Sequence, residues 1–415
     1  MTGHIQAPPS LWQNAQFRTY LASTAFTGTA MAIQQLLVSW LLVGILVLPG
    51  GQVGLVQALI GLPGILLMVL GGANADQIDP RSLLMRVYGA AWVFPLFLFT
   101  MVQLDALNIW TVSLFGVGMS TAIAYANPAQ QALLNRTAGQ DVQRGVTVAT
   151  AATFIVQMFG LMISGQMETI GIEIVLVIQG ASLILGALAV RGIAAAIAPS
   201  APSGTPTMQA IREGFKAAYD NRPVLHTLVI TFLSGAFNFG AFTIVVPFVV
   251  KHVYAGDALG FATIMIIFYG GATVSNAIQY WIMPLARPGF WFLAMQATRA
   301  AILLVIWLQP SWWLLAVMMF IWGLNMGVTT NLSRAIVQEA SAPEVLARLL
   351  SVLSLGVLGA MPIGAFLLGL VIQGFGELNA LLPAIVVSVL LCLYGFFYTD
   401  LDSYTSPHAR PDPTA

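Results

Sequence analysis

From Phe17 to Phe397 the chain is a succession of apolar runs, each roughly 20 residues or longer and almost free of charge. A helix rises about 1.5 Å per residue, so such a run spans about 30 Å, the thickness of a bilayer's hydrocarbon core. In hydrocarbon every backbone N–H and C=O must be paired within the protein, which leaves helices and closed barrels. Barrel strands need only about 10 residues and alternate in polarity. These runs are longer and continuously apolar, so the expected fold is all-α and membrane-integral. Twelve runs can be read, at 17–47, 53–73, 82–103, 108–130, 143–167, 171–191, 223–250, 257–283, 289–308, 312–333, 346–373 and 378–399. Charged residues make up 7% of the chain, against about 25% in a soluble domain. That is too few to cover a water-facing surface, so a soluble enzyme is excluded.

Orientation follows from where Lys and Arg collect, because cytoplasmic loops carry the excess. With the N-terminus inside, thirteen of the fifteen basic residues lie in inside segments, Lys251 lies outside and Arg299 falls within the ninth run. The expected location is the plasma (cytoplasmic) membrane, crossed many times, with both termini cytoplasmic. The first run is too long for the apolar core of a cleaved signal and is expected to stay in the mature protein. Fifteen acidic residues cancel the charge, and no basic patch suits nucleic acid. One cysteine, Cys392, and four scattered histidines predict no metal site and no cofactor.

The chain also repeats itself. At an offset of 204, Asn127 falls on Asn331, Arg144 on Arg348, Gly160 on Gly364 and Gly165 on Gly369. At 206, Gly50, Gly54 and Gly64 fall on Gly256, Gly260 and Gly270. Six spans followed by six related spans form a parallel repeat, a known transporter architecture. The expected organisation is a six-helix half over 1–191, a linker over 192–222, a second half over 223–400 and a tail over 401–415. Pro199, Pro202 and Pro206 mark the linker. After them Met208, Ile211, Phe215 and Tyr219 recur at helical spacing opposite Arg212, Glu213, Lys216 and Asp220, predicting an amphipathic helix on the membrane surface.

The turn between the second and third runs holds Gly72, Asp76 and Arg81, with Asp79 between the last two. It resembles the Gly-x-x-x-Asp-x-x-x-x-Arg loop of the major facilitator superfamily, departing at Gln77, where a basic residue is usual. Asn14-Ala15-Gln16-Phe17-Arg18, Asn127 to Gly165 and Val337-Gln338-Glu339 to Gly369 are similar to a branch that includes enterobactin (siderophore) exporters and macrolide efflux proteins. The resemblance implies a transporter with twelve helices in two six-helix halves, working by alternating access, with the loop residues acting as a conformational latch. Two positions depart from the branch: Thr29 follows Gly28 where an acid is common, and Leu161 follows Gly160 where proline is common.

Ionisable groups within spans mark function by default, and Arg299 is the clear case. No carboxylate lies deep in a run: Asp105, Glu168 and Glu173 sit near outer ends, Asp76 and Glu339 near inner ends. The resemblance implies a central cavity lined by spans 1, 4, 7 and 10. The candidate wall is Gln34, Gln57, Tyr125, Asn127, Asn238, Phe242, Arg299, Trp322 and Asn325, and no catalytic residue is expected. Such a wall suits a large, weakly charged amphipathic solute. The leading expectation is export of a hydrophobic or amphipathic small molecule by a monomer in the lipid bilayer. A facilitator or importer of a neutral metabolite stands beside it, and a proton is the candidate coupling ion. A membrane-embedded enzyme would need convergent His, Asp or Cys groups, which the sequence lacks.

Overall fold

Twelve helices long and apolar enough to cross a membrane account for most of the computed structural model, which describes residues 11–70, 79–139, 142–195 and 207–407. We number them spans 1 to 12: Ala15–Ile45, Gly50–Leu67, Pro80–Gln103, Ile109–Ala138, Val148–Gly165, Ile172–Val190, Arg222–Val253, Ala258–Ile282, Pro288–Trp307, Trp312–Glu339, Pro343–Phe375 and Asn379–Tyr398. No strand occurs among the described residues. Spans 4 and 10 run further than their apolar stretches, to Ala138 and Glu339. Their last turns carry Gln130, Asn135 and Arg136, and Ser333, Arg334 and Gln338. A helix of 30 residues is about 45 Å long and outruns the hydrocarbon, so its polar end continues into water. An even number of spans puts both chain ends on one side, here called the terminus side, and the opposite side is the far side.

The halves repeat in backbone detail. Positive φ values occur at Val47, Asp105 and Gly171 in the far-side loops of the first half, and at Ala255, Gln309 and Gly376 in those of the second. These pairs are 208, 204 and 205 residues apart, the spacing of the sequence repeat. Side chains repeat as well. Asn14 caps span 1 by accepting from the Gln16 N–H, and its Nδ2 donates to the Thr137 carbonyl at the end of span 4 (2.8 Å). Asn221 caps span 7 by accepting from the Val224 N–H, and its Nδ2 donates to the Ala340 carbonyl after span 10 (2.7 Å).

Glycines set the packing. Gly160 on span 5 lies against Ala32 and Thr29 of span 1, and its repeat partner Gly364 on span 11 lies against Ala236 and Gly240 of span 7. A Cβ at Gly364 would overlap the Ala236 carbonyl, so only glycine allows this crossing. Between the halves, Gly50 and Gly54 of span 2 meet Gly369 and Ala365 of span 11, Gly61 meets Pro362, and Gly165 of span 5 meets Ala262 of span 8. Beyond this seam Gly64, Gly359 and Gly356 have nothing against them. The halves are therefore packed on the far side and part toward the terminus side.

Within the expected linker, residues 196–206 with their prolines lie outside the described residues. The connector helix Thr207–Asp220 packs through Gly214 and Ala218 on span 11, where Glu213 pairs with Arg348 (3.1 Å). Phe215 and Tyr219 stay exposed, so the aromatic face is turned away from the protein.

Candidate functional site

Where the halves part, a cavity of about 540 Å³ lies between them, within the range of about 300–1,000 Å³ that holds drug-sized ligands. Spans 1, 2, 4, 7, 8, 9, 10 and 11 line it, and spans 3, 5, 6 and 12 contribute no wall residue. Among the described residues the wall holds no Asp or Glu, and Arg299 is its one charged side chain.

The first half presents amides and hydroxyls. Gln35 is the centre of a network: its Nε2 donates to the Tyr269 hydroxyl of span 8 (3.0 Å), and its Oε1 accepts from Gln157 Nε2 of span 5 (3.2 Å). The bond to Tyr269 crosses the interface between the halves. Gln57 Nε2 donates to Ser39 Oγ (3.1 Å). Gln34 Oε1 accepts from Gln179 Nε2 (3.1 Å), while Gln34 Nε2 has no protein partner. Across the cavity Asn238 Oδ1 and Thr231 Oγ1 are likewise without one. Buried polar atoms are costly when unpaired, so these three groups are available to a solute.

The second half presents aromatics and a cation. Phe242 lies on Phe268 with ring centres 4.3 Å apart, and Trp322 stands edge-on to both at 6.1 and 5.7 Å. Phe242 sits in a turn, Ala241–Val245, that is wound with i→i+5 hydrogen bonds, as does Val249–Val253 at the end of the same span. Such widened turns re-aim side chains and recur at functional sites. Arg299 on span 9 is 4% exposed. Its Nε donates to Asn325 Oδ1 (3.1 Å), Nη1 to Gln296 Oε1 (2.9 Å) and to Ser234 Oγ, and Nη2 to Thr329 Oγ1 (3.2 Å). All four acceptors are neutral. Asn325 is held by its own Nδ2 bonds to the Met295 carbonyl (2.7 Å) and Thr298 Oγ1 (2.8 Å), so its oxygen is presented to the guanidinium.

Of the expected wall, Gln34, Gln57, Asn238, Phe242, Arg299 and Trp322 converge on the cavity. Asn325 is buried behind the wall as a support of Arg299. Tyr125 and Asn127 are exposed and off the wall. Asn127 still shares a face of span 4 with the lining residues Ser120 and Ile123, one turn nearer the terminus side, where the halves have separated. The missed residues include Tyr269, Thr330 and Ser333. A tyrosine in an apolar run reads as an interfacial aromatic, and hydroxyls that back-bond within a helix leave no trace in the sequence.

The cavity is shut on the far side by a cluster that joins the halves. Glu168, just past span 5, accepts from Trp40 Nε1 (2.7 Å) and from the Ala258 N–H at the start of span 8 (3.3 Å). Trp40 stacks on Phe261 and lies under the Lys251 ammonium at 5.3 Å. Of the loop motif, Arg81 lies on the terminus side, at the start of span 3. Gly72 and Asp76 fall outside the described residues. Arg81 Nη2 donates to the Arg191 carbonyl (2.9 Å), and Asp79 caps span 3 and pairs with Arg136 (3.3 Å). These bonds tie together the ends of spans 3, 4 and 6 within one half.

Solved transporters share this architecture. The nucleoside transporter NupG superposes with a TM-score of 0.71 at 15% identity, covering 94% of this chain and 100% of that one. A bacterial homolog of the human lysosomal transporter Spinster, in an inward-facing and unoccupied conformation, gives 0.67 at 14%, covering 94% and 98%. A POT family transporter in complex with a thioalcohol-conjugated peptide gives 0.69 at 11%, covering 92% and 95%. At these identities the likeness is one of fold. No curated protein matches the sequence. The profile of the transmembrane secretion effectors, a family of the major facilitator type, matches residues 7–410. The chain belongs to that family of multi-pass membrane transporters.

Proposed function

We propose that the protein exports a hydrophobic or amphipathic small molecule from the cytoplasm by alternating access, as one chain in the plasma membrane with both termini cytoplasmic. The observation that carries this reading is the cavity between the halves, closed on the far side and widening toward the side on which the basic residues collect. The motifs that resemble those of siderophore exporters and macrolide efflux proteins support the same direction. A wall of amides, aromatics and hydroxyls suits a solute of low charge, and the absence of a carboxylate from that wall removes the usual mid-membrane proton carrier. That last observation favours a second reading, a facilitator of a neutral metabolite without proton coupling.

Inside-out vesicles carrying the protein test both. Export predicts accumulation of an amphipathic fluorescent dye in these vesicles above that of vesicles lacking the protein. Accumulation lost on collapsing a pH gradient would assign the coupling to the proton, and accumulation that survives would assign it to another driving gradient. Dye uptake confined to right-side-out vesicles would contradict export, and equilibration without accumulation would favour the facilitator.

A further inference from the structure

Arg299 is a cation in the middle of span 9 with no anion beside it among the described residues. A guanidinium has five N–H donors. Four hydrogen bonds are present, all to neutral oxygens, which leaves one N–H on Nη2 and the whole charge uncompensated. Buried charge is stable when it is paired, yet no described carboxylate pairs with Arg299 and none lines the cavity that it faces. The residues around it act to hold the fork in place. Asn325 is oriented by two bonds of its own, and Gln296 lies one turn away on the same helix. This is a positioned, nearly buried cation on the wall of the cavity.

The second observation is the distance to the aromatic cluster. From Ser234 to Phe242 is eight residues along span 7, and from Thr329 to Trp322 is seven along span 10. At about 1.5 Å per residue, both helices place the rings about 10–12 Å toward the far side of the guanidinium. Between the two, Asn238 Oδ1 is an unpaired acceptor.

We propose that the cavity binds an elongated organic monoanion, with its carboxylate or similar group on Arg299 and a flat apolar end about 10 Å away among Phe242, Phe268 and Trp322. This rests on the transport reading above and specifies the class of its substrate. The anion supplies the charge that the fold withholds, and the rings supply apolar area that water would otherwise cover.

The test uses purified full-length protein and two probes of equal shape, biphenyl-4-carboxylate and biphenyl-4-carboxamide, with binding followed by calorimetry at neutral pH. Wild-type protein should bind the carboxylate at least about tenfold more tightly than the amide, as expected of a charge-assisted pair. Arg299→Gln should bring the two affinities within about twofold by removing that pair. Phe242→Ala should weaken both probes while keeping their ratio. Equal binding of the two probes to wild-type protein, no carboxylate binding at all, or a carboxylate preference that survives in Arg299→Gln would each overturn the proposal. The wild-type comparison decides even if the arginine variant does not fold. Because binding is read without vesicles, a failure here leaves the direction of transport to the vesicle assay.

Discussion

The two halves of the molecule share a backbone but not a cavity wall. Their far-side loops turn through positive φ at matching places, Asn14 and Asn221 each cap a helix and donate to a carbonyl at the end of a neighbouring span, and Gly160 and Gly364 sit at equivalent crossings. The side chains facing the cavity have diverged. At the spacing that aligns Asp105 with Gln309, Arg299 falls on Pro95, so the first half has no counterpart cation. It offers Gln34, Gln35 and Gln57 instead, opposite the rings of the second half. On the proposed reading, the repeat supplies two bodies that rock about one axis, and what breaks the repeat supplies recognition. Substitutions at repeated positions should therefore affect folding in pairs, and substitutions at unrepeated positions should affect binding singly.

The largest effect is expected where the repeat is tightest. Gly364→Ala forces a methyl group into the Ala236 carbonyl, while Gly160→Ala meets the Ala32 methyl and the Thr29 carbonyl with more room. Overpacking costs about 1–3 kcal/mol, and the Gly364 variant should lie at or above the top of that range. Its thermal midpoint in detergent should fall further than that of Gly160→Ala. Equal losses would mean that the two crossings are alike.

A smaller effect is expected for the paired caps. Asn14→Ala and Asn221→Ala each remove a helix cap, worth about 1 kcal/mol, together with a bond to the neighbouring span. Their losses should agree within about 0.5 kcal/mol and add in the double variant, since the sites are far apart. Unequal losses would break the equivalence of the halves.

The smallest effect on stability is expected at the position that breaks the repeat. Arg299→Gln keeps a polar group for Ser234, Gln296 and Asn325 while removing a buried unpaired charge. An uncompensated buried charge is costly, and lifting that cost offsets the hydrogen bonds that are lost. The midpoint without ligand should move by no more than about 1 kcal/mol equivalent, within the range of ordinary substitutions. A large loss would make Arg299 a structural residue.

The spans, their number and the repeat were legible in the sequence because hydrocarbon imposes one solution on an apolar run, and because close helix crossings require glycine. The ends of spans 4 and 10 were not, since a helix that leaves the bilayer loses its apolar signature before it loses its helical bonds. Part of the wall was legible for the same reason as the spans: Gln34, Asn238 and Arg299 stand out against an apolar background. Tyr269 and the Ser and Thr hydroxyls do not stand out. Tyr125 shows the limit of reading polarity without rotation, because the face a residue presents depends on packing, whereas Asn127 shares the lining face and misses the wall by lying one turn nearer the terminus side. Glu168 read as an end group, and only the fold brings it to Trp40 and to the N-terminus of span 8, across the interface.

The central claim of the proposed function is that the halves rock about the central cavity, so that the far-side seal opens as the terminus side closes. It can be measured with two pairs of spin labels in nanodiscs. One pair replaces Gln52 and Phe375, at the far ends of spans 2 and 11, and the other replaces Gln131 and Gln338, on the terminus side of spans 4 and 10. All four positions are exposed. Glu168→Ala removes the acceptor that joins Trp40 to the start of span 8. In that background the far-side distance should lengthen and the terminus-side distance should shorten, relative to the labelled protein with Glu168 intact. If both distances lengthen together, or only the far-side pair responds, the halves are not rocking as two bodies and the account is contradicted.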